Sequence, residues 1–412
     1  MGSYIVSLDI GTTKVCTLIG RVNRANQLEI VGEGIAPCNG VKKGVIVDIE
    51  SVSNSIRDSI KQAETMANIS VGSAYVNIYG MHVNVINNKS SIEISDNNHE
   101  VSPKDVEKLL YKVRDLEIPE DCQIIDIIPR QYIIDGYDEI IDPVGMVGLR
   151  LEVDADVIIG KITSAQNIVK SLERAGLKID GLIIEAFATG ELLLTPDEKE
   201  IGAILIDVGG GITDISVFKN KRLIFYDSIP VGGDHITNDI SIGLKISHSE
   251  AEKIKRQFEL ALTSLINNDQ EFAVNTIEDN KRKKIKVSEV VEIIEARVHE
   301  IFYICRNMLE KAKITIDGNM TVVLTGGGIS YVDGNKQLAS EVFEIPARVA
   351  LYRSASVSKS EFATAAGMIR FVSNTYKSGN AGSKVILQKG KNSLKKRPGF
   401  FKKILKLLER LS

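Results

Sequence analysis

The 412-residue chain has no tryptophan, four cysteines and no long apolar run. The missing tryptophan excludes nothing, but the other shortages do. Cys16, Cys38, Cys122 and Cys305 are scattered, with no C-x-x-C spacing and no neighbouring histidine pair, which argues against a disulfide framework or a zinc site. No stretch reaches the roughly 18 apolar residues of a spanning helix. The N-terminal MGSYIVSLDIG lacks the basic segment and apolar core of a secretory signal, and Val6 stands where a myristoylation signal needs Ser or Thr. These absences predict a cytosolic, reducing location and a membrane contact that is at most peripheral.

What is present is ordinary for a folded protein: 43% hydrophobic and 25% charged residues. A single core usually stops growing near about 250–300 residues, so two or more domains are expected. The net charge of −3 conceals a division. From Lys384 on, the chain carries ten of its 51 basic residues and one of its 54 acidic ones, so this tail is +9 and the remainder about −12. An acidic body argues against general nucleic-acid binding, whereas such a tail is drawn to an anionic surface.

Tyr4–Leu8 and Val15–Arg21 are β-branched apolar runs joined by the turn Asp9-Ile10-Gly11-Thr12-Thr13-Lys14, a strand-turn-strand pattern. It recurs where Ile201–Ile206 and Ile212–Lys219 flank Asp207-Val208-Gly209-Gly210-Gly211, a weak internal duplication. Amphipathic patterns predict helices over Ser51–Ala67, capped by Asp48 or Ser51, and over Ser164–Ala175, ending at Gly176. Strands alternating with helices favour an α/β fold. In each turn glycine lets the backbone approach a ligand, and successive N–H groups with threonine hydroxyls can surround phosphate oxygens. The candidates are Gly11, Thr12, Thr13 and Lys14 in the first turn and Gly209, Gly210, Gly211 and Thr213 in the second. Asp9 and Asp207 can orient water around a Mg²⁺ that bridges phosphates. One such turn is as readily an ordinary hairpin; two of them make a constellation. A third cluster, Gly326, Gly327 and Gly328 after the strand Thr321–Leu324, reads either as a strand-to-helix turn or as a bare surface for an adenine or ribose.

The order and spacing of these three motifs resemble the actin-like ATPase superfamily, which implies a two-lobed α/β fold of ribonuclease H-like lobes binding ATP and Mg²⁺. Ile184–Gly190 and Phe362–Met368 look like its two connecting helices, whose small residues allow a close crossing at a hinge. The resemblance adds Gly233 to the nucleotide contacts. It also adds Glu252 and Lys255, at i and i+3 on the pattern Ser249–Phe258, as ribose contacts; from the residues alone they are equally a solvated ion pair. Glu185 falls where efficient superfamily ATPases carry a water-orienting carboxylate, but Ala186 replaces the usual proline, so Glu185 and Asp207 imply at most a weak ATPase.

The segment 83–161, containing SPKDVEKLLYKVRDLEIPEDCQIIDIIPRQYIIDG, is similar to the extra subdomain (1C) of the bacterial cell-division family FtsA, and the resemblance runs over essentially the whole chain. It implies a first lobe (1A) of residues 1–82 and 162–192, and a second lobe of 193–372 with subdomain 2B at about 230–300. It further implies a homopolymer that tethers FtsZ to the cytoplasmic face of the membrane at the septum, with other division proteins reached through 1C. Arg297 matches the family's basic contact for the FtsZ C-terminal peptide, and Lys283 and Lys284 could assist. A PilM-type pilus-assembly scaffold shares the extra subdomain and is the alternative; it lacks the terminal helix.

That helix is expected over 399–412, after a flexible linker at 373–398. At about 100° per residue, Phe400, Phe401, Ile404, Leu405, Leu407, Leu408 and Leu411 share one arc while Lys402, Lys403, Lys406, Glu409 and Arg410 fill the other. This partition suits a helix lying in a membrane interface, and equally one docked on its own domain. A flexible 26-residue linker spans about 28 Å root-mean-square. One tail binds reversibly and a row of tails binds firmly. A sugar kinase would need a general base facing a sugar pocket, and a heat-shock-type chaperone a peptide domain after the ATPase; neither pattern is found.

Overall fold

A computed structural model describes residues 4–95, 98–277, 282–352 and 360–377. The tail candidates Phe400, Phe401, Lys402, Lys403, Ile404, Leu405, Lys406, Leu408 and Leu411 lie outside the described residues. One compact unit comprises Met1–Val85 with Lys161–Phe371, and a second contains Ile86–Gly160.

The first unit holds two five-stranded sheets of the same topology. In one the order is Lys178–Ile184, Ser73–Ile78, Ile5–Ile10, Lys14–Val22, Leu28–Pro37. In the other it is Ala347–Val349, Thr321–Thr325, Ala203–Val208, Thr213–Lys219, Arg222–Ile229. Each begins as an antiparallel three-strand meander and adds two parallel strands. The duplicated sequence pattern is thus a duplicated fold. Ala203–Val208 is buried at every position, as expected of a central strand covered on both faces.

Both leading strands run farther than the sequence pattern indicates. Gly11 N–H donates to the Lys14 carbonyl at 2.8 Å and Gly209 N–H to the Ile212 carbonyl at 2.9 Å, so each hairpin closes in a tight turn. Asp9 and Asp207 are therefore the penultimate residues of their strands, opposite Cys16 and Asp214, rather than members of the turns. The helix Ile49–Ala67 is capped by Asp48, whose carboxylate accepts from the N–H groups of Glu50 and Ser51 at 3.0 and 3.2 Å.

Helices Glu185–Leu193 and Ala363–Lys377 cross closely. A Cβ on Gly367 would fall 2.1 Å from the Ala188 carbonyl oxygen, so that crossing admits no side chain. The second helix continues through residues 373–377, which the expected linker included. A helix already nucleated by its buried Ala365, Ala366, Met368 and Ile369 extends at little cost through a few polar residues.

In the second lobe, helices Gly233–Leu244, His248–Phe258 and Val287–Lys311 share one core with the sheet, including Ile206, Ile236, Ile254, Ile294 and Phe302. The second unit has a four-stranded sheet in the order Val83–Glu93, Arg150–Lys161, Cys122–Ile134, Tyr137–Ile140. Its helix Pro103–Lys112 packs Val106 and Leu109 onto Val153, Ala155 and Val157, alternate residues of one strand. Its other alternation holds Asp156, bonded by Arg130 Nε at 2.6 Å.

Candidate functional site

The three glycine turns meet around a cavity of about 310 Å³ within the first unit. Backbone bonds lock them together: Gly328 N–H to Val208 O at 2.8 Å, Gly233 N–H to Gly209 O at 2.9 Å and Asp234 N–H to Gly210 O at 2.8 Å. Gly326 adopts φ +97°, and a Cβ there would lie 2.3 Å from Val208 O and 2.4 Å from Asp207 Oδ1. Only glycine permits this approach.

The cavity wall includes Asp9, Gly11, Thr12, Thr13, Lys14, Glu185, Asp207, Gly209, Gly210, Gly233, Glu252, Lys255, Gly326, Gly327 and Gly328. Two candidates are placed elsewhere. Gly211 is buried behind the turn, where a Cβ would sit 2.6 Å from Thr12 Cγ2. Thr213 is fully buried and its hydroxyl donates to the Val231 carbonyl at 2.8 Å, which leaves it a structural role.

Four carboxyl groups gather at the inner end. Burial pushes Asp9 up to about 7 against the pull of Lys14. Burial, then Asp214 and Asp9, push Asp207 to about 8. Asp214 rises to about 6, with burial opposed by bonds from Ser228, the Gly80 N–H and Tyr226. Burial, followed by Asp214, Asp207 and Asp9, holds Glu185 well above the usual carboxylate range. Glu185 Oε1 accepts from Thr364 Oγ1 at 3.2 Å, while its buried Oε2 has no partner. An unpartnered buried oxygen beside three acids is a receptive environment for a cation or an oriented water. Among the described residues no group of three or more His, Cys, Asp or Glu is arranged to hold a metal unaided.

At the outer end, the ammonium of Lys255 lies 2.6 Å from Glu252 and donates to Gly233 O at 3.0 Å and Thr237 Oγ1 at 2.7 Å. Lys255 is 2% exposed while Glu252 is half-buried, so the ammonium is held out of solvent and only the carboxylate reaches it; burial lowers the lysine's pKa. Glu252 also accepts from Arg256 Nε at 2.9 Å, and the Arg256 guanidinium stands 4.2 Å over the Tyr331 ring.

Sequence reasoning passed over Tyr79, Asp214, Asp234, Arg256, Glu361 and Thr364, all on the cavity wall. Asp214 was within reach, because it follows the second turn directly. Glu361 had no local signal; it arrives from 347 positions away to meet Lys14.

The proposed partner-binding residues lie apart from this cavity. Arg297 Nε and Nη2 donate to Asp239 at 2.5 and 3.0 Å, and Nη1 to Glu300, so its fork is already occupied. Lys283 and Lys284 are exposed on the strand Arg282–Lys286, where Lys284 is 3.4 Å from Glu271.

The sequence matches the family "Cell division protein FtsA" over residues 204–367 and "SHS2 domain inserted in FTSA" over residues 80–159. It is 38% identical over 367 residues to the cell division protein FtsA of Bacillus subtilis strain 168, covering 89% of this chain and 82% of that protein. Against FtsA of Escherichia coli K12 the identity is 30% over 393 residues, with 92% of each covered. The chain belongs to the FtsA family. FtsA likeness at this level also ranks the pilus-scaffold alternative. A solved chain of the PilM-PilN type IV pilus biogenesis complex aligns at TM-score 0.60 and 15% identity, covering 89% of this chain and 98% of that one, which is a likeness of fold. ADP-bound MreB5 of Spiroplasma citri aligns at TM-score 0.55 and 15% identity, covering 95% and 99%. The FtsA chain therefore has the actin-like fold with the family's insert, and no helix among its described residues is long and apolar enough to cross a membrane.

Proposed function

We propose that this chain binds Mg²⁺-ATP in the cavity, polymerises in the bound state, and tethers FtsZ filaments to the cytoplasmic face of the membrane at the septum through the amphipathic segment 399–412. In this reading 1A, the inserted 1C, 2A and 2B follow the boundaries given above, and 1C serves contacts to other division proteins. The observation that carries the nucleotide arm is the convergence of two equivalent hairpin turns and a side-chain-free third turn on four buried acids.

The residues fit the ligand. Gly11, Gly209 and Gly210 bring backbone to the cavity wall and Thr13 and Lys14 offer a hydroxyl and a charge to phosphate oxygens, while the Thr12 hydroxyl is buried and without a partner. When bound, Mg²⁺ would supply positive charge to offset the phosphates and the acids, and Asp9 and Asp207 would be the residues that hold its water. Glu185 keeps one buried oxygen without a partner, placed to orient a water. Gly326, Gly327 and Gly328 offer the base a flat surface, and Glu252 with Lys255, fixed on each other, face the ribose.

The FtsZ arm rests on Arg297, together with the exposed Lys283 and Lys284. Because Asp239 already occupies Arg297, an acidic peptide must share or displace that carboxylate. Arg297→Glu is expected to weaken binding of an FtsZ C-terminal peptide about tenfold or more, since reversing a charge costs more than the roughly 1 kcal/mol of a partly exposed pair. Fluorescence anisotropy measures this, with ATP affinity as the control. Unchanged peptide affinity removes Arg297 from the interface.

A further inference from the structure

The cavity wall carries three lysine or arginine side chains, and two of them are committed: Lys255 and Arg256 both hold Glu252. Among the described residues lining it, Lys14 is the one such cation not tied to Glu252. Its ammonium instead lies 2.5 Å from Oε1 of Glu361. Glu361 sits in the short turn Ser360–Phe362, immediately before the helix Ala363–Lys377. A Cβ on Gly327 would be 3.7 Å from Lys14 Nζ, so the ammonium is drawn across toward the third glycine turn. Both partners are only 27% and 29% exposed, so solvent screens their attraction incompletely.

We propose that Glu361 is a built-in competitor for Lys14, an internal anion that occupies the ammonium until nucleotide phosphates replace it and that thereby sets the chain's affinity for ATP and ADP. This rests on the nucleotide reading of the cavity. The chemistry is an exchange of counterions. Lys14 can pair with Glu361 or turn to a phosphate oxygen, and each arriving phosphate meets the carboxylate's repulsion as well as the loss of the existing ion pair. The pair links the first lobe's hairpin to the turn leading into a connecting helix, so occupancy by phosphate frees a contact made at that turn.

The test uses the full chain, Glu361→Gln and calorimetric titration with ATP, ADP and adenosine. The amide keeps the size and polarity of the side chain while removing its charge. ATP and ADP should bind about fivefold more tightly, corresponding to about 1 kcal/mol at 1.4 kcal/mol per decade, and adenosine, which has no phosphate, should bind as before. The gain should shrink in high salt and fall below about twofold when Lys14→Gln is present in both proteins, as expected of coupling through that residue. An unchanged or weaker ATP affinity overturns the proposal, as does an equal gain for adenosine or a full gain in the Lys14→Gln background. A wild type that binds no ATP overturns the cavity's reading and this proposal with it; normal wild-type binding with an unchanged variant overturns this proposal alone.

Discussion

Asp207→Ala is expected to lower Mg²⁺-dependent ATP affinity about 10- to 100-fold, the range over which groups surrounding a bound metal act. Asp207 is 9% exposed and shares its surroundings with Asp9, Asp214 and Glu185. Burial and mutual repulsion keep these groups protonated at pH values where exposed carboxylates are ionised. A bound cation favours their charged forms, and removing Asp207 deletes one of the four carboxylates that answer it. Calorimetric titration with Mg²⁺ and with chelator separates the effects: the variant should lose affinity mainly in Mg²⁺. Equal affinities in Mg²⁺ would sink the assignment. The proton linkage has a definite sign. Asp207 rises from 3.8 to about 8 on folding, so its stabilising contribution is complete below about pH 4 and is lost as pH climbs through about 8. The nucleotide-free wild type should therefore melt at lower temperature as pH rises across that window, and Asp207→Ala should show a shallower decline.

Phe401→Glu is expected to weaken co-sedimentation with anionic vesicles about 100-fold, to below detection for a single tail. Burying a phenylalanine contributes about 1.5–3 kcal/mol, and the substitution replaces that gain with the cost of bringing a carboxylate to an apolar interface. Lys402, Lys403, Lys406 and Arg410, each contributing about 1 kcal/mol near an anionic leaflet, are the same in both proteins, so the loss falls on the apolar contact. Raising salt should weaken wild-type binding only in part, because the apolar contact is unscreened. The melting temperature distinguishes a tether from a docked helix. A segment packed on its own domain would lose buried contacts and destabilise the fold, whereas a tether leaves melting unchanged. Undiminished vesicle binding by the variant, or a lowered melting temperature, would contradict the tether.

The hairpins were legible because their information is local: two β-branched runs and a glycine turn suffice to mark a strand-turn-strand unit. Their limits were less so. The strands extend to Ile10 and Val208 because a hydrogen bond across each turn carries the ladder past the aspartate. Thr213 looked like a phosphate ligand by analogy with Thr12 and Thr13, yet its register points it into the core toward Val231. The partners that tune the candidate site were out of reach. Asp239 lies 58 positions from Arg297, and Glu361 lies 347 from Lys14, distances at which no periodicity survives. The same holds for Arg256 on Tyr331, although its placement one turn beyond Glu252 was readable as an i, i+4 pair.

The most direct measurement mixes the full chain with FtsZ and anionic vesicles and follows FtsZ in the lipid pellet, with Mg²⁺-ATP and without nucleotide. FtsZ should sediment with lipid only when this chain is present, and several-fold more with Mg²⁺-ATP, because polymerised tails act at high effective concentration. FtsZ that stays in the supernatant with Mg²⁺-ATP, or that pellets equally without the chain, would contradict the account.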